Sequence, residues 1–288
     1  MKPGLASPRD PALSFGREPP PRWKWLLWGF RRYVRRYLAR HFHAVRLSRT
    51  SSSLPQDSSL PLLVVLNHPS WWDPLIGLFL SGLLPHYEHF AFIDAQALGR
   101  YRFMSRLGFL GIELNTYRGA ADFLRYGLSL LSRPGHALWV TAQGRFVDVR
   151  TRPVHLEAGV GHLAARLSHG LIVPIALEYT FWTERTPEAL IRIGAPLVLE
   201  SGRTLSPQQW TEVITAALTQ TMDALAAEAI RQREEDFQIL LMGRSGIGGW
   251  YESWQRLCAF FRGKTYHPEH ASIMRREDQA INRNFTQS

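Results

Sequence analysis

The sequence predicts an α/β fold: a mixed, mostly parallel sheet flanked by helices, with a basic amphipathic helix ahead of it. Three observations carry that prediction. From residue 60 onward, strand-like apolar runs alternate with helix-like segments. The run Leu62-Leu63-Val64-Val65-Leu66 stops abruptly at Asn67-His68-Pro69, as a buried strand does when it delivers a polar group to its end. A chain of 288 residues that is 45% apolar has enough material for one sizeable core.

Taken in order, residues 1–21 are Pro-rich and charged, and read as a disordered N-terminus. A basic amphipathic, membrane-associating helix follows over 22–49. At 100° per residue, Trp23, Leu26, Leu27, Phe30, Tyr33, Val34, Tyr37, Leu38 and Val45 share one face. Lys24, Arg31, Arg32, Arg35, Arg36 and Arg40 share the other. Tryptophan beside arginine is the pattern of a helix lying in a membrane surface. Packing on the domain is the competing reading. Residues 50–59 are a Ser-rich linker.

The catalytic-type domain spans 60–235. Strands are expected over 62–66, 90–94, 111–114, 137–141 and 171–179, with 190–194 as the last of the sheet. Helices are expected over 74–84, opened by Pro74, then to about 107, and over 120–132, 159–168 and 207–235. An aromatic amphipathic segment occupies 236–263, with Trp250, Trp254, Leu257 and Phe261 at helical spacing. A polar tail fills 264–288. Gly243-Arg244-Ser245-Gly246 and the glycines after it read as a flexible loop with no strand ahead of them.

The chemistry concentrates at His68 and Asp73. Pro69 and the Trp71-Trp72 pair turn the chain after the strand. A carboxylate is thereby brought back toward the imidazole, which is the arrangement of a positioned general base. An Asp at a helix start also serves as an N-cap, and the two roles are compatible. His155, His162 and His169 recur every seven residues, but His155 falls outside any helix, so no metal site is read there. The sole cysteine, Cys258, excludes an intrachain disulfide and fits a reducing compartment.

Asn67-His68 followed by four residues and Asp73 resembles the HxxxxD signature of the glycerolipid and lysophospholipid acyltransferases, the 1-acylglycerol-3-phosphate acyltransferases among them. Further blocks resemble that family in order. The stretch from Leu107-Gly108 to Tyr117-Arg118-Gly119 is similar to its second block, which implies that Arg118 meets an acceptor's polar head. Trp139-Val140-Thr141-Ala142-Gln143-Gly144-Arg145-Phe146 is similar to the third, usually Pro-Glu-Gly-Thr-Arg. Here Ala142 and Gln143 replace Pro-Glu, and Arg145-Phe146 replaces Thr-Arg. Residues 156–164 and Ile172-Val173-Pro174-Ile175-Ala176 are similar to the remaining blocks, which implies that Pro174 lines an acyl pocket.

The resemblance covers residues 60–199 and implies a divergent O-acyltransferase. His68 and Asp73 would be catalytic; Asn67, Arg118, Gln143, Gly144, Arg145 and Pro174 would bind substrate. The donor would be an acyl thioester, acyl-CoA or acyl carrier protein, as a substrate and with no resident cofactor. The acceptor would be a lysophospholipid or related lipid. Gln143 lacks the carboxylate of the usual Glu, which weakens glycerol 3-phosphate and lysophosphatidic acid as acceptors. A glycolipid, a carotenoid glycoside or an amino-acid lipid is the alternative acceptor, and a non-catalytic lipid-binding relative the alternative class.

Charge agrees with a lipid partner. Net charge is +10, and nine basic residues but no Asp or Glu lie between Pro19 and Gln56. That arm suits an anionic membrane surface, whereas nucleic acid would not need its tryptophans. No run reaches the roughly 18 apolar residues of a spanning helix, and no secretory leader is visible. The expectation is a peripheral or monotopic protein on the cytoplasmic face of a membrane.

Overall fold

A computed structural model describes residues 21–200 and 205–243. The predicted N-terminal segment, all but Pro21, lies outside them. So do the polar tail and most of the aromatic segment.

The expected α/β architecture is present: a nine-stranded, mostly parallel sheet with helices on both faces. The elements are α1 Lys24–His41, β1 Ala44–Ser48, β2 Leu62–Leu66, α2 Asp73–Leu80, β3 Glu88–Asp94, α3 Ala95–Arg100, β4 Phe109–Ile112 and α4 Tyr117–Leu131. Then come β5 His136–Thr141, α5 Gly159–Ala164, β6 Gly170–Thr180, β7 Glu188–Ile193, β8 Leu197–Leu199, α6 Pro207–Arg231 and β9 Phe237–Met242. The strand order is β4-β3-β5-β2-β6-β7-β1-β9, with β8 also on β6. From β4 to β6 all neighbours are parallel. β7 then runs antiparallel to β6, and β1 is parallel to β7.

β2 shows why this sequence makes this sheet. All five of its residues are buried, because parallel neighbours on both edges and helices on both faces leave it no contact with water. Leu63 and Val65 face a core with Leu130, Leu163 and Trp210 of α4, α5 and α6. Leu62, Val64 and Leu66 face a second core with Val34 and Leu38 of α1 and Ile76 of α2. Pro174 sits in β6 opposite Val65. It falls where the other edge of β6 passes from β8, opposite residues 170–172, to β7, opposite residues 175–180. No ladder there needs the N–H that proline lacks, and its carbonyl accepts from the Gly194 N–H at 2.9 Å. A Ser206–Gln209 capping box with Pro207 in the first turn starts α6.

Three expectations are corrected. The predicted helix over 22–49 ends at His41, and Ala44–Ser48 is a strand between β7 and β9. Residue 45 therefore belongs to the sheet and not to the apolar helical face. The predicted 236–263 segment opens with β9, an antiparallel strand on β1, so a strand does precede Gly243. The strand at 188–193 is not the last, since β8 and β9 follow it. Among the described residues no helix is long and apolar enough to cross a membrane.

Candidate active site

β2 carries its last buried residue to the carboxyl edge of the sheet and hands over to Asn67 and His68. Asn67 extends the ladder by side chain: its Nδ2 donates to the Leu177 carbonyl at 2.9 Å, and its Oδ1 accepts from the Leu177 N–H at 2.7 Å. A primary amide pairing both ways with a peptide unit replaces the next backbone pair just where the chain must turn. His68 is thereby placed beside the end of β6.

The imidazole is oriented by a buried carboxylate. His68 Nδ1 lies 2.6 Å from Asp73 Oδ2. A carboxylate only accepts, so Nδ1 carries a proton, and in the neutral ring Nε2 is the nitrogen left with a lone pair. Asp73 is 2% exposed, and its oxygens also accept from the Ser70 N–H at 3.1 Å and the Tyr179 hydroxyl at 2.7 Å. The N-cap position of α2 falls on Trp72 with no side-chain cap, so these three donors take up Asp73 in place of the capping role. Burial, then the adjacent Asp73 carboxylate, push the Tyr179 phenol well above its usual pKa and keep it a donor.

The loop after β5 supports His68 from behind. The buried Gln143 accepts the His68 N–H on Oε1 at 2.8 Å. The Val147 N–H donates to the His68 carbonyl at 2.9 Å. Between them Gly144 turns with φ 67°, and a Cβ there would stand 2.8 Å from Glu157 Cγ. Phe146, 61% exposed, covers the imidazole with ring centroids 4.5 Å apart.

His68 opens on a cleft of about 820 Å³, within the size range of small-ligand sites. Its walls are mostly apolar: Leu66, Leu78, Phe92, Leu107, Phe109 and Val160 are among them. His89 is a neutral wall member, since burial lowers its pKa to about 4. Its Nδ1 accepts from Trp139 Nε1 at 3.0 Å, and its Nε2 donates to the Leu84 carbonyl at 2.9 Å.

Of the residues expected at the site, the cleft brings together His68, Asp73 and Gly144. Asn67 and Gln143 lie behind the histidine as hydrogen-bonded supports, and Pro174 lies in the sheet. Arg118 is at the solvent-facing start of α4, 4.0 Å from Glu113. Arg145 is exposed between the two wall residues Gly144 and Phe146. Sequence reasoning missed Tyr179 and Glu157. Tyr179 lies near the end of a strand that was legible, but that strand's neighbour in the sheet was not. Among the described residues no group of three or more metal-ligating side chains comes together.

Fold and site together define a class: an α/β protein whose parallel sheet presents a carboxylate-oriented histidine to an apolar cleft, which is equipment for general-base chemistry. No family model matches the sequence, and no curated protein matches it. Among solved structures the chain is similar to the 1-acyl-sn-glycerophosphate (LPA) acyltransferase PlsC of Thermotoga maritima. The TM-score is 0.47 and the identity 16%, over 73% of this chain and 82% of that one.

Proposed function

We propose that this protein is an acyltransferase of a membrane surface, moving a fatty acyl group from an acyl thioester to the hydroxyl of a lysophospholipid or related lipid. The observation that carries the reading is the Tyr179–Asp73–His68 chain of hydrogen bonds, ending at the mouth of an apolar cleft. A fatty chain fits the cleft, and the imidazole stands where the reacting hydroxyl would enter.

His68 Nε2 takes the acceptor's proton as its oxygen attacks the thioester carbonyl. The C–O bond forms, the C–S bond breaks, and the imidazolium returns its proton to the departing thiolate. Asp73 holds the tautomer and offsets the positive charge that develops on the ring. Coenzyme A or an acyl carrier protein supplies the thioester. No acyl-enzyme and no resident cofactor enters the scheme.

Membrane contact falls to the outer face of α1. Trp25 and Trp28 are 68% and 69% exposed there, with Arg32, Arg35 and Arg36 on the same stripe. Exposed tryptophan flanked by arginine suits the boundary between headgroups and acyl chains.

Transfer from radiolabelled acyl-CoA to a panel of lipid hydroxyls tests the proposal. His68→Ala should lower transfer by about 10²–10⁴-fold while the far-ultraviolet circular dichroism stays as in the parent. A folded alanine variant that transfers at the parental rate would overturn the scheme.

A further inference from the structure

The charge of the cleft wall is opposite in sign to that of the whole chain. Net charge is +10, yet no Lys or Arg is among the described residues that line the cleft. The wall carries four carboxylates: Asp73, Asp94, Glu113 and Glu157. Asp73 is spoken for by His68, and Asp94 caps α3 through the Gln96 N–H. Glu157 is exposed at the wall, whereas Glu113, also exposed, has the Arg118 guanidinium at 4.0 Å. Glu157 lies against Gly144, on the same turn that supports His68 and places Phe146 over it. A wall of one sign focuses its potential into the cleft and repels a ligand of like sign.

Two aromatic faces complete the mouth. Phe146 stands over His68, and Tyr117, 98% exposed, is also among the residues that line the cleft. An aromatic face is an electron-rich surface for the weakly positive C–H groups of a saturated ring. A carboxylate accepts strongly from hydroxyls. Phe146 and Glu157 together therefore offer a stacking face and a hydroxyl acceptor beside His68, on a wall that carries no Lys or Arg among the described residues.

Resting on the acyl-transfer reading above, we infer that the acceptor has an uncharged, polyhydroxylated head of the sugar type, stacked on Phe146 and hydrogen-bonded by Glu157, and not a phosphate monoester. The tail of such a lipid follows the apolar wall, and one ring hydroxyl reaches His68 Nε2. The two arginines nearest in sequence, Arg118 and Arg145, are solvent-facing and outside the wall.

The test sets the full chain and labelled acyl-CoA against acceptors of matched tail: a glucosyl lipid, lysophosphatidic acid and an amine-headed lipid. The glucosyl lipid should exceed both others in kcat/KM by tenfold or more. Phe146→Ala should raise its KM about tenfold, an effect of the size aromatic contacts supply, with kcat nearly held. Glu157→Gln should raise the KM for the glucosyl lipid several-fold and improve use of lysophosphatidic acid. A preference for the phosphate or amine head would overturn the inference and leave acyl transfer standing. So would phosphate-lipid transfer that collapses in Arg118→Ala or Arg145→Ala.

A second arm reads head preference without turnover. Octyl glucoside, octyl phosphate and octylammonium are titrated below their micelle concentrations into the His68→Ala protein by calorimetry. Binding of the glucoside at a Kd tenfold or more below the others supports the head assignment even where no acceptor is acylated, an outcome that would remove the acyl-transfer reading alone. Equal or tighter binding of either charged head overturns it.

Discussion

Asp73 is the residue on which the candidate site turns, because two local donors and one distant in sequence meet at one buried carboxylate. His68 and Ser70 are local to it, but Tyr179 comes from 106 positions away. Removing the tyrosine hydroxyl leaves one carboxylate oxygen buried without its partner, at a cost of about 1–3 kcal/mol. Tyr179→Phe should lower the urea unfolding free energy by that amount and reduce kcat with little change in KM, since the loosened carboxylate orients the imidazole less well. Unchanged kcat in a destabilised variant would make Tyr179 a purely structural partner. At this scale the sequence was most legible where partners are close: His68 and Asp73 sit five apart. Gln143 was read as touching substrate, yet its carbonyl oxygen is engaged by the His68 backbone. Nothing in the residue type distinguishes those two uses.

Among the elements, β1 was the one sequence reasoning placed worst. Its five residues were absorbed into the preceding helix, because Val45 continues the helical apolar stripe. Arg46 in fact is 1% exposed, and its Nε donates to Glu188 Oε2 of β7 at 2.9 Å. His43 Nδ1 meets the other oxygen of Glu188 at 2.5 Å. A buried arginine is tolerable in a sheet only with such a counter-charge, 142 positions away in sequence.

The hydrogen bond to Glu188 raises the His43 pKa above its ordinary 6.5. Burial pushes the Glu188 carboxyl up, but the bonds from His43 and Arg46 outweigh it and hold the group below its usual value. The stability that His43 adds is complete below pH 6.5 and is lost as pH rises through its raised pKa. The share from Glu188 is lost only on acidification. The gap in urea midpoint between the parent and His43→Gln should therefore be wider at pH 5.5 than at pH 8.5. An equal gap at both would show that His43 contributes no protonation-linked stability. The parent alone is a poor readout, because buried His89, lowered to about 4, loses stability in the opposite direction, as pH falls from 6.5.

For the whole molecule, the orientation of α1 decides which of its side chains are left for the proposed membrane contact. The apolar stripe expected to enter lipid packs mainly on the domain: Val34 and Leu38 are fully buried, and Leu27 and Phe30 join the core. Arg31, expected on the polar face, hydrogen-bonds Ser81. Trp25 and Trp28 are left outward with the remaining arginines. Aromatic contacts tie this helix to the site, through Tyr37 against Trp72 and Trp72 stacked on Trp71 at the cleft. Trp25→Ala with Trp28→Ala should weaken flotation with anionic vesicles at least tenfold, and Arg32, Arg35 and Arg36 replaced by Gln should lose about 1 kcal/mol each. Flotation unchanged by either set would place lipid contact elsewhere.

What the sequence determined by itself were features whose causes are local. A short apolar run with β-branched residues and a proline just past its end reads as a buried strand that must then turn, and a carboxylate five positions on falls within reach of the histidine. The periodic apolar stripes likewise specify most helices. The tertiary structure alone decided the matters that depend on which surfaces meet: that β6 lies beside β2 and brings Tyr179 to Asp73, that Arg46 is neutralised by Glu188, and that α1 turns its apolar stripe inward. It also decided that the mostly apolar cleft of a strongly basic protein has carboxylates but no Lys or Arg among the described residues of its wall. Charge counted along a chain has no address; only packing sorts the arginines onto an outer face and leaves them out of the cleft wall.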